Sequence, residues 1–346
     1  MRVGILTGGG DCPGLNAVIR AVVTKGERQY GDEVVGFRNG WAGVMEGDVM
    51  PLSAERCRDI LPLGGTILGT SRANPYAIEG GAQAVRATLE REAVEALVAV
   101  GGDDTLGVAG QLAREGVPVV GVPKTIDNDL GVTELTFGFH TAVQTATEAI
   151  DRLRTTAESH HRVMVVEVMG RDTGWIATYA GIAGGAAEIL IPEEPFDMAA
   201  VCDRLRAHHG RDVSASVVVA AEGARPRDGE IVVQSDQRDA FGHARLGGVG
   251  RVVADEIEAR TGFETRLTVL GHVQRGGTPT AFDRVLATRF GIAAIDAVHD
   301  GHSGKAAVLQ ANQIRLAPLE DLTGKAKLVD RDLYETVAGA LVSFPD

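Results

Sequence analysis

Val94-Glu95-Ala96-Leu97-Val98-Ala99-Val100-Gly101-Gly102-Asp103-Asp104-Thr105 and, further on, Val117-Pro118-Val119-Val120-Gly121-Val122-Pro123-Lys124-Thr125-Ile126-Asp127-Asn128-Asp129 decide the fold. Each opens with an apolar run, 94–100 and 117–122, that reads as a buried strand ending in a polar loop. Residues 106–114 between them carry helical spacing. Strand, helix and strand make one right-handed crossover, so the strands are parallel and both loops open on one sheet edge. Ligands bind at that edge in open α/β sheets. Asp103, Asp104, Asp127, Asp129 and Lys124 converge there, a set suited to metal, base and phosphate chemistry.

Outward from this unit the same alternation repeats. Further strands are expected at 2–6, 33–37, 163–168, 188–191, 216–221, 266–270 and 305–310, and helices at 15–29, 81–91, 141–158, 198–208, 250–260 and 281–299. Such alternation means α/β, with mostly parallel sheets and helices on both faces. The strands outnumber the needs of one compact sheet, so two Rossmann-like three-layer lobes with an active-site cleft between them are expected. The expected division is 1–139 plus 275–325 against 140–274 plus 326–346. Residues 223–248 break the alternation and read as a surface insertion, with a hairpin as one form.

Composition narrows the class. The net charge of −13 argues against nucleic acid as the main partner. No run of about 18 apolar residues suggests a membrane span, and the N-terminus leads straight into a glycine loop. Cys12, Cys57 and Cys202 are too few and scattered for a disulfide framework or a zinc site, which suits a cytoplasmic location. Glycine is the outlier: 45 of 346 residues, clustered at strand ends. Tight turns account for single pairs, whereas five pairs in one chain point to backbone approaching phosphate.

The first strand ends in Leu6-Thr7-Gly8-Gly9-Gly10-Asp11 and a helix follows. This is neither the dinucleotide fingerprint nor a Walker loop, but it offers a helix N-terminus to an anion. Phosphoryl transfer to a hydroxyl needs Mg²⁺ on the donor oxygens, a base at the acceptor and cations for the spreading charge. Asp103, after a glycine pair, suits the metal, and Asp127, in a tight loop, suits the base. Arg72, Arg162, Arg171, Arg266 and Arg275, each near a strand end or glycine turn, are candidates for an anion clamp. His272 suits a substrate hydrogen bond, whereas His160-His161 reads as a solvated helix end. Trp41 and Trp175 read as packing residues, and Cys12 as a small loop residue with no basic partner visible.

The motifs 6–11, 101–103, 125–129, Val168-Met169-Gly170-Arg171 and 271–277, in this order, resemble the bacterial type of the 6-phosphofructokinase family over nearly the whole chain. The resemblance implies the phosphofructokinase fold and Mg²⁺-dependent phosphorylation of the 1-hydroxyl of fructose 6-phosphate. It implies that Asp127 is the base, Asp103 handles magnesium, Gly9 contacts the donor, and Arg72 and Arg171 attend the transferring group. It gives the sugar phosphate to Thr125, Ile126, Met169, Gly170, Glu222, His272, Val273, Gln274 and Arg275. Arg162 and Arg266 resemble arginines supplied by a neighbouring subunit, which implies a homodimer or homotetramer.

The departures from the ATP-using pattern concern the donor. Asp104 and Lys124 stand where glycine is usual or frequent, and Ala73 and Val108 where those relatives leave room for a nucleotide. A carboxylate at the place of a nucleotide α-phosphate repels it by about 4 kcal/mol at 4 Å and an effective dielectric near 20. Lys124, one of five lysines among 34 basic residues, suits pyrophosphate. Asp104 with Lys124 resembles the pyrophosphate-dependent branch, and the 223–248 insertion resembles an actinobacterial group holding both ATP and pyrophosphate users. Arg20 and Arg154 remain from a nucleotide-effector site, but Thr24 replaces a second arginine and only Arg211 stands in its lysine-rich stretch, so weak or absent nucleotide control is expected. An ATP-dependent enzyme of the same fold is the alternative reading. A non-catalytic regulatory subunit is the remote one, since Asp103 and Asp127 are both present.

Overall fold

Runs of Val, Ile, Leu and Ala bounded by glycine form strands buried on both faces, as parallel sheets require. The computed structural model describes residues 1–209, 215–227, 229, 233–238 and 244–339. In chain order these form β1 (Arg2–Thr7), α1 (Leu15–Lys25), β2 (Glu33–Phe37), α2 (Trp41–Glu46), β3 (Val49–Leu52), α3 (Gly81–Arg91), β4 (Ala96–Gly101), α4 (Asp103–Arg114), β5 (Val119–Thr125) and β6 (Phe137–Gly138). Then come α5 (Phe139–His160), β7 (Val163–Val168), α6 (Trp175–Ala183), β8 (Glu188–Leu190), α7 (Met198–His209), β9 (Ser216–Ala221), β10 (Val233–Arg238), β11 (Ala244–Leu246), α8 (Val249–Thr261) and β12 (Thr265–Val269). The chain closes with α9 (Ala281–His299), β13 (Lys305–Gln310), β14 (Gln313–Pro318) and α10 (Leu319–Leu322), with short 3₁₀ and π turns between elements.

The chain divides into two units. Met1–Thr141 and Arg275–Ala326 make the first; the described residues of Ala142–Arg238, Ala244–Gln274 and Lys327–Asp346 make the second. The first holds a sheet of order β14-β13-β5-β4-β1-β2-β3, with β6 pairing β5. Its interior strands are parallel, while β14 and β3 run antiparallel at the two ends. Leu97, Val119, Leu106, Leu112 and Trp41 are among the buried side chains of its core. The second holds the all-parallel sheet β12-β7-β9-β8, with Val165, Val218, Leu205 and Val253 in its core. The described part of the 223–248 insertion contains an antiparallel pair, β10 with β11. No helix among the described residues is long and apolar enough to cross a membrane.

Among the boundaries that differ from expectation, two lie at the site. The second loop was expected to begin at Pro123, but β5 runs to Thr125 because β6 pairs with it, Lys124 opposite Phe137 and Thr125 opposite Gly138. The helix expected from 106 begins at Asp103, so Asp103 and Asp104 occupy its first turn, where the helix dipole favours carboxylates. The short α2, β3, α6 and β14 went unread because four to nine residues are too few for periodicity to declare a type.

Candidate active site

In the first unit, β1, β4 and β5 end side by side, with Thr7 opposite Val100 and Gly101 opposite Pro123. The Gly8 amide donates to the Val100 carbonyl at 2.9 Å, so the first glycine loop leaves β1 along the end of β4. A Cβ on Gly8 would lie 2.6 Å from Thr105, and one on Gly101 would collide with the same side chain. Glycine at both positions is therefore what lets the head of α4 descend between the strand ends. Gly9 adopts φ +78°, its amide donating to the Ser71 carbonyl at 3.0 Å. The next residue, Arg72, is exposed.

Lys124 is buried, 3% exposed, and its Nζ donates to the Gly10 carbonyl. Burial holds its pKa below the ordinary lysine value; Cys12, Asp127 and Asp11 oppose that effect, and the Arg275 guanidinium adds to it. Arg275 lies against Gly10, where a Cβ would strike its Nη1. Two cations on one glycine loop are the electrostatic complement of a compact, multiply charged anion. Cys12 therefore does have basic neighbours, contrary to expectation, yet burial dominates and pushes its thiol up, which removes it as a nucleophile.

The Asp127 amide donates to Thr125 Oγ1 at 3.0 Å, and Ile126 between them is buried. Asn128, with φ +53°, accepts the Thr136 amide on its Oδ1 at 3.1 Å and pins the loop from behind. The sequence reading did not single out Asn128, although its place between two aspartates was a signal for such a turn. Asp103 is exposed, and one of its oxygens accepts the Gly324 amide at 2.7 Å. No cluster of three or more ligating side chains occurs among the described residues. One accessible carboxylate fits Mg²⁺ held jointly with substrate phosphates rather than in an all-protein cage.

In the second unit the ends of β7, β9 and β12 lie together, with Val168 opposite Ala221 and Val269 opposite Glu167. Met169, Gly170 and Arg171 leave β7 there, Glu222 leaves β9, and His272, Val273 and Gln274 follow β12. Arg171 adopts φ +52° and its amide donates to Glu222 Oε1 at 3.2 Å. Gly223 is a glycine because a Cβ would strike the Arg171 carbonyl. Arg171 Nη2 is buried without a hydrogen-bond partner among the described residues. His272 and Val273 are exposed and Gln274 is buried, its Nε2 donating to the Gly271 carbonyl at 3.1 Å. Arg275 falls in the first unit.

Arg162 and Arg266 stand at the opposite ends of these strands. Arg162 precedes β7 and Arg266 is the second residue of β12; both bind the Glu264 carboxylate, Arg162 at 2.8 Å. The six residues of β7 separate Arg162 from Arg171, roughly 20 Å at the rise of a strand, while Arg266 lies opposite Met164 within that span. Arg154 donates to the Gly184 and Gly185 carbonyls. Arg211 lies outside the described residues. Trp41 and Trp175 are buried, Trp175 Nε1 donating to the Lys327 carbonyl at 2.8 Å, and His160-His161 is exposed at the end of α5.

Residues 2–298 match the model of the family described as phosphofructokinase. The chain is 59% identical to a Streptomyces coelicolor protein named pyrophosphate–fructose 6-phosphate 1-phosphotransferase, over 97% of this chain and 98% of that one. It is 51% identical to another protein of that organism, named ATP-dependent 6-phosphofructokinase 3, over 96% and 98% of the two chains. The solved structure of a pyrophosphate-dependent phosphofructokinase from Nitrosospira multiformis superposes with a TM-score of 0.84 at 22% identity, covering 100% of this chain and 92% of that one, which is a likeness of fold.

The depressed pKa of Lys124 gives a stability prediction. Between its folded value and the ordinary lysine value the unfolded chain binds the extra proton, so stability rises with pH across that window, and below it the full cost of burying the charge applies. Lys124→Met removes that cost: the variant melts higher than wild type at pH 7, and the gap narrows toward pH 10. A lower melting temperature at pH 7 would refute the assignment.

Proposed function

The chain belongs to the phosphofructokinase family, and we propose that within it the protein is the pyrophosphate user: it transfers a phosphoryl group from pyrophosphate to the 1-hydroxyl of fructose 6-phosphate. The observation that carries this reading is Lys124, a buried cation tied to the Gly10 carbonyl on the donor loop. A compact ammonium there neutralises a small, highly charged anhydride, and Asp104 in the first turn of α4 disfavours the extra phosphate of a nucleotide. The relative named for pyrophosphate is also more similar to this chain than the relative named for ATP.

The sugar oxygen attacks the donor phosphorus as the Asp127 carboxylate takes its proton; the new P–O bond forms as the anhydride bond breaks, and phosphate leaves. The Gly9 loop and Lys124 hold the donor, with Arg72 and Arg171 meeting the charge on the transferring group. Asp103 would hold Mg²⁺, which would supply charge neutralisation at the donor. Thr125, Met169, Gly170, Glu222 and His272 orient the sugar phosphate. Donor anhydride and product ester are closer in energy than with ATP, so the reaction runs both ways. Three free cysteines, all buried, suit a cytoplasmic enzyme.

The length of β7 between Arg162 and Arg171 supports an oligomer in which Arg162 and Arg266 serve another copy's site. Three experiments follow. A coupled assay with each donor returns fructose 1,6-bisphosphate with pyrophosphate and none with ATP; turnover with ATP alone would sink the reading. Asp104→Gly admits ATP, seen as new ATP-dependent turnover. Arg162→Ala and Arg171→Ala, each inactive, regain activity when co-expressed, because mixed oligomers contain one intact composite site; no recovery would refute the shared site.

A further inference from the structure

The head of α5 has an unusual problem. The first amides of a helix have no partner within it and normally turn to a capping side chain just before it. Here that residue is Gly138, at φ +95°, and it has no side chain to offer. Nor can it acquire one, because a Cβ would lie 2.7 Å from Cys12 Sγ. Asp283, from the first turn of α9, reaches across and supplies the missing acceptor. Its Oδ2 accepts the Thr141 amide at 2.7 Å and the Thr141 hydroxyl at 2.5 Å. The contact is mutual: Thr141 Oγ1 accepts the Thr280 amide at 3.0 Å, and Thr280 in turn caps α9. Asp283 is fully buried, so this is a carboxylate placed for its bonds and not a surface charge.

What is held there is the back of the site. Gly138 and Phe137 form β6, which pairs with Thr125 and Lys124. Phe137 carries a second tie to α9, its ring 6.3 Å from that of Phe290. Just before β6, Thr136 donates its hydroxyl to the Thr125 carbonyl at 2.8 Å and its amide to Asn128 Oδ1. A line of bonded groups thus runs from Asp283 through the α5 head and β6 to the backbone of 124–128. We propose that Asp283 is a positioning residue for the transfer: by capping α5 across the chain it locks β6 against β5 and so sets where Lys124 and Asp127 stand. It touches no substrate and acts through the strand it holds. The kinetic consequence rests on the reading of Asp127 as base; the structural one does not.

The test uses the full chain with Asp283→Ala, Asp283→Asn and Thr141→Val. In Asp283→Ala, backbone hydrogen exchange in 119–129 quickens about tenfold relative to 33–37, a strand remote from the clamp. Its kcat falls about tenfold while KM for fructose 6-phosphate stays within about twofold, since the base and not sugar binding is displaced. Asp283→Asn, which keeps an oxygen acceptor, restores most of both, and Thr141→Val, which loses only the hydroxyl bond, shifts both part of the way. If Asp283→Ala does not fold, the other two carry the test. A fall in melting temperature with unchanged exchange in 119–129 and unchanged kcat would reduce Asp283 to packing and overturn the proposal. So would an Asn variant as impaired as Ala. A wild type inactive with pyrophosphate refutes the functional reading, whereas the exchange result decides on Asp283 alone.

Discussion

The close approach of Thr105 to Gly8 and Gly101 is the constraint on which the first unit's site depends. A helix that follows a strand after a one-residue turn must bring its first turn over the strand ends, and any Cβ at either glycine would hold it off. With α4 seated, Asp103 and Asp104 lie in its first turn, the Gly9 loop is braced on Ser71 and Val100, and Lys124 reaches the Gly10 carbonyl. Glycine stands at these strand ends because a Cβ at Gly8 or Gly101 would meet the Thr105 side chain and one at Gly10 the Arg275 guanidinium.

The second unit uses the same device with different chemistry. Gly223 lets the end of β9 touch the Arg171 carbonyl, and Arg171 is held in the left-handed region with its amide on Glu222. A non-glycine residue in that conformation carries a strain that surrounding bonds must offset. The outcome is a guanidinium with a buried, unsatisfied nitrogen at a strand end, which is what an anion clamp requires. At the other end of the same strands, Glu264 gathers Arg162 and Arg266 into one charged patch.

Much of this was legible in the residues. The apolar runs ending in Gly-Gly-Asp and in Lys-Thr-Ile-Asp announced parallel strands and a site at their ends, because burial on both faces demands such runs and phosphate demands bare backbone. What escaped was short or long-range. The strand β6 is two residues long and carries no pattern, yet its pairing extends β5 over Lys124 and Thr125. Cys12 lacked a basic neighbour in sequence and acquired Lys124 and Arg275 in space. Asp283 is one acidic residue in a helix until the fold sets it beneath Thr141.

The sequence by itself determined the class of fold, the family and the cast of charged groups, since periodicity, glycine punctuation and motif order are local properties that one strand or one turn must obey. Only the tertiary structure decided which charges are buried and which face water. Lys124 and Lys25 are the same residue type, but one is buried against a carbonyl and the other is partly exposed and paired with Asp296. Burial depends on what the rest of the chain packs around a group, and that is not written in the group's own neighbours.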